Sequence, residues 1–244
     1  MKQIENKIKL FCLPFAGGAA NMYDQWNTKL AKHIEVCPIH LAGRGNRFTE
    51  KPYSNLEEAV NDIFDIVKDD LSESDYAIFG HSMGALLAYE LVQKIRKHGR
   101  NAPVHVFFSG RKPVHIPKTE NFYRDMTALE FQEAVLSLGV TPPEIFKNPE
   151  LKAIFGPLLL SDFTIAETFV DRPEILPLSC NITALIGQDE EITKEEGAQW
   201  KFHTTEQCAV HYMEGGHFFL LDNPQAVIDI INDNLCIEKF AVKY

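Results

Sequence analysis

Five consecutive residues, Gly80-His81-Ser82-Met83-Gly84, set a serine between two glycines. An apolar run, Tyr76–Phe79, leads into them, and a second apolar stretch holding Ala85, Leu86, Leu87, Ala88, Tyr89 and Leu91 follows. In a strand–turn–helix setting this Gly-x-Ser-x-Gly pattern is a nucleophile elbow: a sharp, strained turn pushes the hydroxyl out at a helix N-terminus. The flanking glycines let strand and helix pass without Cβ clashes. A serine hydroxyl attacks a carbonyl only if a base takes its proton, and the base works only if a carboxylate orients it. Gly215-Gly216-His217 follows the apolar run Ala209–Met213 and offers an imidazole in a turn that glycines leave free to aim. The Ile182–Ile186 run ends in Gly187-Gln188-Asp189-Glu190-Glu191. Asp189, the acid nearest the strand end, is expected to accept the Nδ1 proton of His217; Glu190, Glu191 and Asp222 are the alternatives.

Acyl transfer also needs hydrogen-bond donors for the tetrahedral oxyanion, each worth about a hundredfold to a thousandfold in rate. The elbow supplies the Met83 backbone N–H. The second donor is expected from Pro14-Phe15-Ala16-Gly17-Gly18, after the first apolar run, with Ala16 preferred and Phe15 the alternative. Neither a Gly-x-Gly-x-x-Gly fingerprint nor a lysine-bearing phosphate loop is present, which sets nucleotide binding aside. His81 neighbours the serine, but its place in the elbow directs the ring away from the hydroxyl, so it is expected to pack beside the site. The other histidines (His33, His40, His98, His105, His115, His203 and His211) lack metal-ligand spacing. No metal and no cofactor are implied.

The residues that carry this chemistry stand at the ends of short buried runs: Ile8–Leu13, Glu35–Leu41, Tyr76–Phe79, Val104–Ser109, Ile182–Ile186 and Ala209–Met213. Such runs, alternating with helical stretches, predict an α/β fold with a mostly parallel central sheet covered by helices on both faces. In such folds ligand sites gather at the carboxyl ends of the strands. Leu56, Ala59, Val60, Ile63, Phe64, Val67 and Leu71 recur at three and four and mark a covering helix. Residues from about 115 to 173 show helix signals without strands, among them a Thr127-x-x-Glu130 capping box and a stop at Gly139. They are expected to form a helical lid inserted in a single domain, residues 1–244. Its apolar residues, such as Leu129, Val135, Ile154 and Leu158, either pack on the core or line an acyl passage. Asn223-Pro224 starts the terminal helix.

The chain has 244 residues, 45% of them hydrophobic and 11% aromatic, enough for a large buried core. A formal net charge of −10 argues against nucleic acid and anionic bilayers as partners. The apolar runs are short of the roughly 20 residues that span a bilayer. Residues 1–20 superficially imitate a secretory signal, but Pro14 interrupts the apolar stretch and cleavage near Ala20 would remove the oxyanion loop. Five cysteines, odd in number and without Cys-x-x-Cys spacing, predict small buried thiols and a cytoplasmic protein.

Taken together, Leu13-Pro14-Phe15-Ala16-Gly17-Gly18, Ala42-Gly43-Arg44-Gly45-Asn46-Arg47, the Ser82 elbow and Gly215-Gly216-His217 resemble the type II thioesterases of nonribosomal peptide and polyketide synthesis, within the α/β-hydrolase superfamily. The order serine, acid, histidine is that of α/β-hydrolases. The resemblance covers essentially the whole chain. It implies a free-standing enzyme that removes acyl or aminoacyl groups from the phosphopantetheine arm of carrier proteins met in trans, with a triad on Ser82, Asp189 and His217. The chain departs from the family in having Ala42-Gly43-Arg44 where Pro-Gly-Arg is common, and Asp189-Glu190 where two aspartates are common. A thiolate, with a pKa of about 8.5, leaves with little protonation, so such a site suffices for thioesters. Esters are equally feasible, and a medium-chain fatty acyl thioesterase or small-ester carboxylesterase uses the same residues. A noncatalytic ligand receptor is the remote alternative. Acidic carrier domains would favour a basic rim, for which Arg44, Arg47 and Lys51, or Arg111, Lys112 and Lys118, are candidates, with ordinary solvated charges as the other reading.

Overall fold

A computed structural model of the protein describes residues 7–72, 74–117, 122–168 and 174–236. Six strands, β1 (Ile8–Leu13), β2 (Ile34–Pro38), β3 (Tyr76–His81), β4 (His105–Ser109), β5 (Asn181–Gly187) and β6 (Cys208–Met213), form one sheet in the order β2-β1-β3-β4-β5-β6. Every pairing is parallel. All six expected runs are strands. The second ends at Pro38 rather than Leu41; it lies at the sheet edge, where a residue without an N–H is tolerated.

Helix α1 (Leu56–Val67) starts at Asn55, whose side chain accepts the Glu58 N–H at 2.8 Å, and buries the predicted stripe from Leu56 to Val67. Helix α2 (Met83–Lys97) follows the elbow directly. Between β4 and β5 the described residues hold a 3-10 turn at Tyr123–Asp125, three α-helices, α3 (Ala128–Ser137), α4 (Glu144–Lys147) and α5 (Pro149–Ala166), and no strand. The Thr127–Glu130 capping box is formed at the head of α3, and Gly139 lies beyond its end at φ +77°. The short α6 (Lys194–Gly197) and α7 (Phe219–Asp222) precede α8 (Pro224–Asn234), capped by Asn223 through the Ala226 N–H.

Alternation along β1 divides the core. Phe11 and Leu13 face α1 and α2, whereas Leu10 and Cys12 face Tyr23, Trp26 and α8. With both faces covered, the strands read as continuous apolar runs instead of alternating ones. A third, smaller cluster (Phe131, Val135, Leu159 and Phe163) joins α3 to α5, and the partly buried Ala16 packs against it. Successive strands lie on opposite sides of β1, so the sheet changes winding direction between β1 and β3, and the crevice beyond their carboxyl ends is where such sheets hold ligands. The register pairs Leu13 with Gly80, His81 with Ser109, Ser109 with Leu185 and Gly187 with Met213. Five strands therefore end on one edge and release their loops together. Among the described residues no helix is long and apolar enough to cross a membrane.

Candidate active site

Ser82 occupies the turn between β3 and α2 with φ 54° and ψ −110°, alone among the described non-glycine residues in having a positive φ. Such a backbone costs about 1–3 kcal/mol and persists only where its surroundings over-determine it. They do so here. A Cβ on Gly80 would lie 2.1 Å from the Gly84 carbonyl oxygen, and one on Gly84 would lie 2.2 Å from that of Leu13. The Ser82 N–H is also tied to the Ser109 carbonyl at 2.8 Å. Met83 is the first residue of α2, where the N–H has no intrahelical acceptor and points beyond the helix end.

His217 stands after β6, and its Nδ1 meets Glu190 Oε2 at 2.7 Å. The carboxylate set against His217 is not that of Asp189 but that of the next residue, Glu190, one of the expected alternatives. The chain turns immediately after β5, with the Glu190 N–H on the Gly187 carbonyl at 3.2 Å and the Asp189 N–H on the Gly215 carbonyl at 3.1 Å. That turn returns residue 190 over the strand end, where Glu190 Oε1 accepts the Gly187 N–H at 2.8 Å and Oε2 reaches the imidazole. The Asp189 side chain is exposed, whereas that of Glu190 is only 8% so. The legible signal is a spacing: an acid three residues beyond a strand-ending glycine is carried back by an i to i+3 turn. Counting the nearest acid misses it. Gly187 is itself constrained, since a Cβ there would lie 2.5 Å from the Gly216 carbonyl oxygen and push the acid loop off the histidine loop.

The Phe15–Gly18 loop is tightly used. Gly18 N–H bonds the Phe15 carbonyl at 2.9 Å, and Gly17 N–H bonds Asp162 Oδ2 at 2.8 Å. Among the described residues the amides of Phe15 and Ala16 donate to nothing, leaving both expected alternatives available. A cavity of about 540 Å³ is lined by Phe15, Ala16, Ser82, Asp189, Glu190 and His217, with Tyr123, Leu138 and Phe163 from the segment between β4 and β5. Ser82, His217, Glu190 and the Phe15–Gly18 loop therefore share one space, and an apolar wall faces them.

His81 packs beside the site as expected. It is buried, its Nδ1 is 2.8 Å from Ser109 Oγ, and its ring lies 5.1 Å from that of His217. Burial, and then the neighbouring His217, hold its pKa well below the ordinary histidine value, so it stays neutral. Of the candidate basic rim, Lys51 is exposed, whereas four other members are engaged within the fold. Arg44 is buried on Asp162, and Arg47 is held by Glu50 and Asp62, which raise its pKa. Arg111 donates to the Ala166 carbonyl at 2.9 Å, and burial pulls its pKa down to about 10. Lys112 lies 3.8 Å from Glu196; Lys118 is outside the described residues. Arg44, Arg47, Arg111 and Lys112 each meet a partner distant in the chain (Asp162, Asp62, the Ala166 carbonyl and Glu196), where charge counting does not look. Cys12, Cys37, Cys180, Cys208 and Cys236 are free thiols. Burial raises the pKa of Cys37 to about 11 and of Cys180 to about 12, which removes them as nucleophiles at neutral pH. Among the described residues no three His, Cys, Asp or Glu side chains could share a metal ion.

The chain as a whole is similar to known proteins of one family. The thioesterase domain profile matches residues 8–235. The linear gramicidin dehydrogenase LgrE of Brevibacillus parabrevis is 36% identical over 95% of this chain and 89% of its own length. Among solved structures, ClbQ from the colibactin NRPS/PKS pathway superposes with a TM-score of 0.87 at 32% identity, covering 97% of this chain and 99% of ClbQ. The type II thioesterase BorB from the borrelidin biosynthetic cluster gives a TM-score of 0.80 at 30% identity, over 94% of this chain and 91% of BorB.

Proposed function

The chain belongs to the thioesterase family of α/β-hydrolases, and from that premise we propose that it is a type II thioesterase that clears acyl or aminoacyl groups from the phosphopantetheine arm of carrier proteins met in trans. The observation that carries the reading is the pairing of a strained Ser82 with a His217 whose Nδ1 is already held by Glu190, both facing one cavity. With Nδ1 occupied, the Nε2 of neutral His217 is the basic nitrogen. It takes the Ser82 proton as Oγ bonds to the thioester carbon, and the carbonyl oxygen becomes an oxyanion facing the amides of Met83 and Ala16. Collapse of that intermediate breaks the carbon–sulfur bond, and the imidazolium proton accompanies the pantetheine thiolate. A water, deprotonated by His217, then attacks the acyl-serine and frees the acid with Ser82 restored. Glu190 holds the tautomer and stabilises the imidazolium throughout.

Residues 1–244 serve in this reading as a single domain, in which the segment at about 115–173 is the lid. Tyr123, Leu138 and Phe163 supply the wall an acyl chain would meet. The free thiols suit a reducing compartment, the cytoplasm. Acyl-loaded carrier protein incubated with wild type and with Ser82→Ala, followed by intact mass, tests the proposal. Deacylation by wild type alone is expected; equal deacylation by both, or by neither, defeats it. Acyl-CoA and nitrophenyl ester arms measure the preference for the carrier-bound thioester.

A further inference from the structure

Asp162 is a fully buried carboxylate on α5, outside the nucleophile–base–acid set, and it makes three bonds. Oδ2 accepts the Gly17 N–H at 2.8 Å and an Arg44 Nη1–H at 2.5 Å, and Oδ1 accepts an Arg44 Nη2–H at 2.7 Å. Arg44, itself buried after β2, also donates from Nη1 to the Gly18 carbonyl at 3.1 Å. The forked pair thus grips the Phe15–Gly18 loop at two successive residues, one through its N–H and one through its C=O. Helix α5 presses on the same loop, since a Cβ on Gly17 would lie 2.8 Å from Leu159 Cδ2. An ion pair removed from water this completely is a poor source of stability, because desolvation offsets the Coulombic gain. Its geometry has another effect. It engages the Gly17 amide and fixes the orientation of the adjoining peptides, among them the one that carries the Ala16 N–H.

We propose that Asp162 and Arg44 are positioning residues that tether the oxyanion loop to helix α5, withholding the Gly17 amide and presenting that of Ala16 to the reacting carbonyl oxygen. The inference rests on the serine mechanism above and adds to it a link between the helices after β4 and transition-state stabilisation. A misplaced donor costs turnover more than substrate binding, because the oxyanion exists only in the intermediate.

Removing one partner would leave a buried charge alone and threaten folding, so the variant of choice is Arg44→Met together with Asp162→Leu, which removes both charges at similar volume. Butylboronic acid, which forms a tetrahedral adduct on a serine oxygen, reports the oxyanion site. The expected result is a folded protein whose kcat on acyl carrier protein and whose butylboronate affinity both fall about a hundredfold, with KM within about threefold of wild type. A folded variant with wild-type turnover, or one in which KM carries the whole loss, overturns the proposal. Should that variant not fold, amide NMR of the wild type decides. On adding butylboronate the Ala16 and Met83 resonances should move while that of Gly17 stays; movement of Gly17 without Ala16 refutes the tether. Ser82→Ala, run in parallel, separates the two claims: if it still hydrolyses the thioester, the serine mechanism has failed whatever the tether does.

Discussion

The turn that carries Ser82 and the helices α3 to α5 that face it across the cavity are packed on opposite terms. At Gly80 and Gly84 an added methyl group would collide with main-chain oxygens at 2.1 and 2.2 Å, whereas at Gly156, inside α5, it would meet nothing within 4 Å. Residues on both sides of the turn, His81 and Met83, are buried; on α3 and α5, Leu129 is 63% and Ile154 45% exposed. The difference shows where this fold keeps its constraint. Chemistry needs one backbone conformation, and the sheet fixes it by contacts that no side chain can relax. The facing helices rest on a small cluster of four buried residues, on Ile165 in the main core and on a few bonds to the loops, so their outer surface is open to change without disturbing Ser82.

The contrast breaks first at its tight end. Gly84→Ala should cost more than about 4 kcal/mol, because backbone must move from backbone, and should abolish the cooperative thermal transition seen by circular dichroism. A soluble, fully active variant would show that the elbow is looser than its geometry. Next comes the acid loop. Glu190→Gln should lower kcat by about 10²- to 10⁴-fold, by losing the carboxylate that orients His217, while Asp189→Asn stays within about twofold; steady-state kinetics on an acyl thioester decide between them. The reverse ranking would return the role to Asp189. A smaller effect belongs to His81, kept neutral in the folded state and free to take a proton at about pH 6.5 when unfolded. The unfolded chain then binds the additional proton below that pH, so this contribution is complete above about 6.5 and declines on acidification, by up to about 1.4 kcal/mol per pH unit. Urea unfolding between pH 7.5 and 5 should show a steeper decline for wild type than for His81→Gln. Smallest, and opposite in sign, Gly156→Ala should raise stability by about 0.5–1 kcal/mol through helix propensity, read as an increase in urea midpoint.

Much of this was visible in the residues themselves. Buried parallel strands announce themselves as apolar runs, and the motifs at their ends, Gly80–Gly84 and Gly215–His217, place Ser82 and His217: glycine is needed at 80 and 84 because main chains touch there, and at 215 for a φ of +96°. The partner of His217 was harder to read, since a three-residue turn decides which of three successive acids faces inward. Arg44 and Asp162 were beyond reach: their side chains meet only when the loop after β2 and helix α5 fold onto the same loop, and neither residue carries a local sign of burial. Charges counted along the chain suggested a surface rim, whereas the fold turns those of Arg44 inward.

The sheet order also sets when reactivity can arise. The alcohol hangs from the third strand, while the imidazole and its carboxylate hang from the sixth and fifth. A chain emerging from the ribosome therefore exposes the elbow sequence long before His217 has been synthesised, and under the proposed serine mechanism a growing polypeptide cannot capture acyl groups until the last strand has joined the edge of the sheet.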